Sequence, residues 1–207
     1  MKTLACGLVA GISACCLAAF ISLHRPAKPK ARVGAHPAGV AEGKKQAELK
    51  AGPGHQLAAF SAGCFWGVEE TFRKTPGVVA TAVGYMGGTL PFPTYEQSHK
   101  TGHAETVLVE FDPKRVTYRQ LLDQFWTIRH PVSQGAARLG NRNPYRSAIW
   151  TFDESESKAA EDSFKAQQRK ERKQILTCVH AVMPFYLAED YHQQYDEKAG
   201  FESCDVP

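Results

Sequence analysis

Gln56-Leu57-Ala58-Ala59-Phe60-Ser61-Ala62-Gly63-Cys64-Phe65-Trp66-Gly67-Val68-Glu69-Glu70-Thr71-Phe72-Arg73-Lys74 is the stretch on which the reading of the chain turns. Gln56 to Ser61 reads as a strand, and Gly63 breaks it. Cys64 to Lys74 reads as a helix, because Phe65, Val68 and Phe72 recur at spacings of three and four on one face. Strand, glycine, cysteine, helix puts the Cys64 sulfur at or near a helix N-terminus. Unpaired backbone N–H groups and the helix dipole stabilise a thiolate there. A thiolate attacks where a thiol does so poorly. The competing reading is a buried structural cysteine, the common fate of this residue type. Phe65 and Trp66 cannot both enter the core from a helix start. One of them can wall an apolar slot beside the sulfur; for Phe65, plain core packing competes.

Outward from this stretch, Pro76-Gly77 stops the helix and Val78 to Tyr85 reads as a second strand. Met86 to His103 reads as a long loop, with Gly87-Gly88, Pro91 and Pro93. Ala104 to Phe111 alternates like a strand, and Asp112-Pro113 ends it. Thr117 to Ile128 reads as a helix with Leu121, Leu122, Phe125 and Trp126 as its buried stripe. Tyr145 to Phe152 is a strand, Asp153 to Lys173 a long charged surface helix, and Ile175 to Val182 the last strand. Met183 to Pro207 reads as mostly loop. The expected fold is therefore α+β: a two-layer α/β sandwich of ferredoxin-like or α/β-roll type. Its sheet is mixed, its helices lie on one face, the other face is less covered, and a long irregular C-terminal tail follows.

Three segments are expected. Residues 1–23 contain an apolar run from Thr3 to Leu23, behind Lys2, that fits a secretory signal peptide or a membrane anchor. Ile12-Ser13-Ala14-Cys15 also has the look of a lipoprotein cleavage box. The basic residues after the run favour a cytoplasmic side if the segment stays as an anchor. Export to, or anchoring in, the cell envelope is the expected location. Residues 24–55 lack any hydrophobic period and read as a basic, disordered linker. Residues 56–207 form the folded domain.

The chain's net charge of +4 belongs to its front. His24 to Lys50 holds seven Lys/Arg and two Glu, whereas from Ala51 onward 17 Lys/Arg face 19 Asp/Glu. A slightly acidic domain gives no basis for nucleic-acid binding. Of the six cysteines, Cys6, Cys15 and Cys16 lie in the apolar run, leaving Cys64, Cys178 and Cys204. Three are too few for a disulfide scaffold. No C-x-x-C pair appears. His103 and Glu105 lack a third ligand, so neither metal nor cofactor is expected.

Several pieces of the domain, taken together and in order, resemble the type A peptide-methionine sulfoxide reductase family. They are Gly63-Cys64-Phe65-Trp66-Gly67-Val68-Glu69, Pro76-Gly77-Val78, Gly84-Tyr85-Met86-Gly87-Gly88, Pro93-Thr94-Tyr95, Thr101-Gly102-His103-Ala104-Glu105, Tyr145-Arg146-Ser147 and Ala188-Glu189-Asp190-Tyr191-His192-Gln193-Gln194-Tyr195. The resemblance implies an enzyme that returns methionine from methionine-S-sulfoxide, free or in proteins, as repair after oxidative damage. Cys64 attacks the sulfoxide sulfur and ends as a sulfenic acid. Glu105 gives a proton to the sulfoxide oxygen, which requires a raised pKa. Tyr95 and Tyr145 donate hydrogen bonds to that oxygen. Phe65 and Trp66 form the pocket for the substrate methyl group. Cys204, nine residues after Tyr195, is the resolving thiol, and a thioredoxin-like dithiol reopens the resulting disulfide. A monomer is expected, touching membrane only through its N-terminal segment.

Cys178, in an apolar-patterned strand, is expected to pack and not to react. Glu69 and Glu70 read as surface or capping carboxylates. His192 reads as packing or hydrogen-bonding near the tail. One stretch departs from the family: Gly140-Asn141-Arg142-Asn143-Pro144-Tyr145 lacks the acidic residue usual there, a place that Asn141 or Asn143 could fill. Two other readings compete: a different thiol reductase or peroxidase using Cys64 and Cys204, and a non-catalytic, degenerate relative.

Overall fold

The computed structural model describes residues 35–41, 45–128 and 142–200. In chain order these form β1 (Gln56–Ala62), α1 (Phe65–Arg73), β2 (Val78–Met86), α2 (Tyr95–Ser98), β3 (Ala104–Phe111) and α3 (Tyr118–Ile128). Then come β4 (Ser147–Thr151), α4 (Glu154–Gln168), β5 (Cys178–Ala181), β6 (Tyr186–Leu187) and α5 (Tyr195–Ala199). The strands make one six-stranded sheet in the order β5-β4-β1-β3-β2-β6. Among the described strand pairs, β4–β5 is the parallel one and the rest are antiparallel. The inner order β4-β1-β3-β2, with α1 leading from β1 to β2, is the split β-α-β arrangement of ferredoxin-like folds. The expected fold class, with its mixed sheet and helical layer, is what the chain adopts.

Side chains alternate across the sheet as strand geometry requires. Phe60, Val83, Tyr85, Val107, Val109 and Phe111 face the helices, where Val68 and Phe72 of α1 and Leu121, Leu122 and Phe125 of α3 cover them. Phe60 stacks on Phe72 at 4.8 Å and on Phe125 at 5.5 Å between ring centroids. This layer fixes the angle at which α1 leaves β1, and so the direction in which Cys64 is presented.

The opposite face differs from expectation: it is covered as well. Leu57, Ala59, Ala82, Met86, Leu108, Trp150 and Phe185 form a second buried cluster, roofed by Ala47 with Val40, Leu49 and Ala51. These four residues fall in the stretch expected to be a disordered linker, whose described part is an extended strap. An extended strap is held through its backbone and needs no side-chain period, so it leaves no pattern to read. The buried carboxylate of Glu110 accepts hydrogen bonds from the amides of Ala38 (2.6 Å) and Gly52 (3.0 Å), and His55 Nδ1 lies 2.8 Å from it. Ala47 N donates to Phe185 O, and Leu187 N donates to Lys45 O.

Other differences are local. The loop from Met86 to His103 contains α2, whose start is fixed by a capping box between Thr94 and Gln97. The tail contains β6 and α5. Elements of two to five residues are too short for a periodic signal. Glu69 and Glu70 are buried, not surface carboxylates, because the tail docks over that side of α1. Glu69 accepts from Thr81 Oγ1 (3.0 Å) and from the amide of Gln194 (2.7 Å). Glu70 pairs with Arg73 at 2.7 Å and Lys74 at 2.8 Å. Cys178 is half-buried on the edge strand β5 and not packed in the core. The apolar run of residues 1–23, along with Asn141 and Cys204, lies outside the described residues. Among the described residues, no helix is long and apolar enough to cross a membrane.

Candidate active site

Gly63 turns the chain out of β1 with φ +105°, a backbone conformation that side chains disfavour. Cys64 follows as the last non-helical residue before α1, with ψ 122°, and its side chain is exposed. The two aromatics after it part company, which settles the alternative left open by the sequence. Phe65 is buried, its ring against Tyr85 and His192. Trp66 stays half-buried. It stacks on Tyr195 at 3.8 Å, and its Nε1 donates to His192 Nδ1 at 3.0 Å.

Glu105, at the second position of β3, projects to the helix-covered face and is 1% exposed. Its Oε2 accepts the Phe65 amide at 2.9 Å. That amide belongs to the residue next to Cys64, so the carboxyl sits against the start of α1 one residue from the cysteine, and both groups act on Tyr95 and Tyr145. Its Oε1 lies 3.3 Å from His99 Nε2. Burial pushes the Glu105 carboxyl up to about 7, partly opposed by the Phe65 hydrogen bond.

Tyr95 opens α2, and Tyr145 ends the turn before β4; their hydroxyls meet at 3.3 Å. Burial raises both phenols, and the nearby Glu105 and Cys64 charges add to the rise, so both remain protonated donors. Glu189 holds Tyr95 in place: its Oε1 accepts from the Tyr95 amide (3.0 Å) and its Oε2 from the Tyr85 hydroxyl (2.8 Å). Burial alone would raise Glu189, but these bonds outweigh it and keep the carboxyl below its ordinary range. Asn143 Oδ1 accepts from the Tyr145 amide at 2.9 Å, which shapes the turn that presents Tyr145. Five of the residues singled out from the sequence therefore converge: Cys64, Glu105, Tyr95, Tyr145 and Phe65, with Trp66 on the rim.

Nothing in the sequence singles out His99, Tyr85 or Glu189. His99 lies one turn after Tyr95, a signal available only once α2 is known to be helical. Glu189 lies inside the Ala188–Tyr195 segment, whose resemblance does not assign it a role. His192 both packs and hydrogen-bonds, as expected, and its ring touches Phe65, Trp66 and Tyr95 together. Among the described residues, no group of three His, Cys, Asp or Glu side chains is arranged to hold a metal ion. His103, the nearest imidazole in sequence to Glu105, is bonded instead to Thr101 Oγ1 at 2.9 Å.

Residues 56–207 match the family model described as peptide methionine sulfoxide reductase. The chain belongs to that family. It is 50% identical over 155 residues to the peptide methionine sulfoxide reductase MsrA of Methanosarcina acetivorans, covering 72% of this chain and 82% of the relative. Its fold matches a solved methionine sulfoxide reductase A of Corynebacterium diphtheriae with TM-score 0.68 and 32% identity, over 83% of this chain and 88% of that one. It also matches Mxr1 of Saccharomyces cerevisiae, solved in complex with Trx2, with TM-score 0.51 and 26% identity, over 70% of this chain and 88% of that one. As a member of the methionine sulfoxide reductase family the chain is an oxidoreductase, and thiol-dependent sulfoxide reduction is the reaction its site must be built to perform.

Proposed function

We propose that this methionine sulfoxide reductase acts on the S epimer, free or in proteins, with Cys64 as nucleophile and Glu105 as general acid. The observation that carries the assignment is the contact between Glu105 Oε2 and the Phe65 amide at 2.9 Å, which seats a carboxyl of raised pKa at the start of the helix that Cys64 precedes. The Cys64 thiolate attacks the sulfoxide sulfur while Glu105 protonates the oxygen. The Tyr95 and Tyr145 hydroxyls donate to that oxygen as charge grows on it. The protonated oxygen passes to the Cys64 sulfur, giving a sulfenic acid, and methionine leaves. Phe65 and Trp66 supply the apolar wall against which the substrate methyl group rests.

The sulfenic acid then condenses with the Cys204 thiol, forming a disulfide and releasing water. A thioredoxin-like dithiol reopens it by exchange, as the yeast relative's complex with Trx2 suggests for this chain. The tail that leads to Cys204 is docked on α1 through the Glu69–Gln194 bond and the Trp66–Tyr195 stack, which supports this pairing. The apolar run of residues 1–23 supports a location in the cell envelope.

The test is a single turnover without reductant. The parent chain should release one methionine per enzyme and lose two thiols. Cys204→Ser should release the same methionine and accumulate a sulfenic acid that a 1,3-diketone probe traps. If Cys204→Ser still formed a Cys64 disulfide, the resolving assignment would be wrong. Substituting Trp66 separates this reaction from a peroxidase, which has no use for an apolar wall beside Cys64.

A further inference from the structure

Burial raises the proton affinity of Glu105, but it does not decide which oxygen carries the proton or where the O–H points. The hydrogen bonds around the carboxyl bear on both. Oε2 is committed as acceptor to the Phe65 amide at 2.9 Å, so the acidic hydrogen belongs on Oε1. The neighbour of Oε1 is His99 Nε2, 3.3 Å away. The ring is held in that place. It lies 4.5 Å from the Tyr95 ring and edge-on to Tyr145 at 5.5 Å, and His99 forms the C-cap of α2. Burial lowers the pKa of His99, so at neutral pH the ring is uncharged and offers one bare nitrogen. His99 thus stands among the three groups that handle the sulfoxide oxygen, with 27% of its side chain still open to solvent.

Building on the acid role of Glu105, we propose that His99 is its positioning residue: the bare Nε2 accepts the Oε1 hydrogen in the resting site, keeping the carboxyl protonated and its O–H turned towards the incoming oxygen. A hydrogen bond made to the neutral form of a carboxyl favours that form. When the sulfoxide arrives, its oxygen replaces Nε2 as acceptor, and the proton moves from Oε1 to it. Glu105 is then a carboxylate. A proton from solvent, taken up on His99 Nε2 and passed to Oε1, restores the acid for the next cycle.

Among the described residues, the other titratable groups facing the pair are Cys64 at the start of α1, Tyr85 on β2, Tyr95 on α2, Tyr145 before β4 and His192 in the tail. The three phenols are shifted upward and stay protonated through the working range. The ring of His192 is shifted downward by burial and stays neutral. Cys64 is unchanged in every variant compared, so a difference between their profiles reports the change at His99.

The experiment is the pH dependence of methionine release in single turnover for the parent chain, His99→Leu and His99→Gln, with Glu105→Gln in parallel. His99→Leu keeps the bulk and removes the acceptor. Its alkaline limb should move down by about one unit, giving ~10-fold loss at pH 8 and little at pH 6. His99→Gln retains an acceptor oxygen and should return the limb towards the parent position. An unmoved or upward-moved limb in His99→Leu, or an equal loss at every pH, overturns the inference. Glu105→Gln separates the two ideas. If it is as active as the parent, the acid reading itself falls; if it is severely impaired while His99→Leu keeps the parent profile, only the role of His99 falls.

Discussion

The amide nitrogen of Phe65 and Oε2 of Glu105 are 2.9 Å apart, so one hydrogen bond joins the start of the nucleophile's helix to a strand that lies 40 residues further along the chain. The fold thereby holds Cys64 and Glu105 in register, while burial, against the pull of that same bond, keeps protonated up to about 7 a carboxyl that would ionise in water.

Glu105→Gln should preserve that bond, because the amide oxygen of glutamine accepts as the carboxyl does, while removing the acidic proton. Methionine formation should fall by about 10² to 10⁴, the range typical of a lost general acid, with the thermal midpoint changed little. In the parent chain the chemical step should weaken as pH rises through about 7, where Glu105 loses its proton. Rapid-quench measurement of methionine formation checks both.

Glu69, Glu105 and Glu156 are each buried and each pushed up to about 7, in every case chiefly by burial. The folded state holds these protons where the unfolded chain releases them near 4.5. Stability is therefore greatest at and below about pH 4.5 as far as these groups go, and it falls as pH rises towards 7. The loss is on the order of 3 kcal/mol per group as an upper bound. Urea unfolding at pH 5 and pH 8 should show the decline, and Glu69→Gln should flatten it in part. Since Glu69 also accepts from the Gln194 amide, Glu69→Ala should cost about 1–3 kcal/mol at either pH by leaving that donor unpaired.

Trp66 is fixed by His192 and Tyr195 and remains half-buried beside Cys64. Trp66→Ala should lower sulfoxide reduction strongly, mainly through a higher KM, while peroxide consumption at Cys64 persists. Equal loss of both activities would favour a general peroxidase.

The strap across the second face makes a prediction about where the stable unit begins. A chain starting at Gln56 lacks Ala47 and its neighbours and strips Glu110 of its two amide donors. Compared with a chain starting at Ala35, it should be less stable by a few kcal/mol, since a buried carboxylate is left unsatisfied. Urea midpoints of the two chains decide the matter.

What was legible in the sequence follows from how each element is held. β1, α1, β3 and α3 carry their own apolar periods, and Gly63 before Cys64 marks the turn that presents the sulfur. Phe65 and Trp66 could not be apportioned until the fold showed which one entered the core. The strap, α2, β6 and α5 are held by backbone bonds, caps and docking, none of which has a period. Glu69 looks like a surface charge until the tail lies over it, and His99 looks like a loop residue until a helical turn carries it back from Tyr95 to Glu105.

The central claim is that Cys64 reduces the sulfur of methionine sulfoxide with Glu105 as acid, despite the acidic residue missing before Tyr145. The most direct test gives the chain separate S and R epimers of N-acetyl-methionine sulfoxide with dithiothreitol, beside a Cys64→Ser control. Turnover of the S epimer alone, abolished in the control, is the predicted result. No turnover of either epimer by the folded protein would contradict the account and point to a non-catalytic relative of the family.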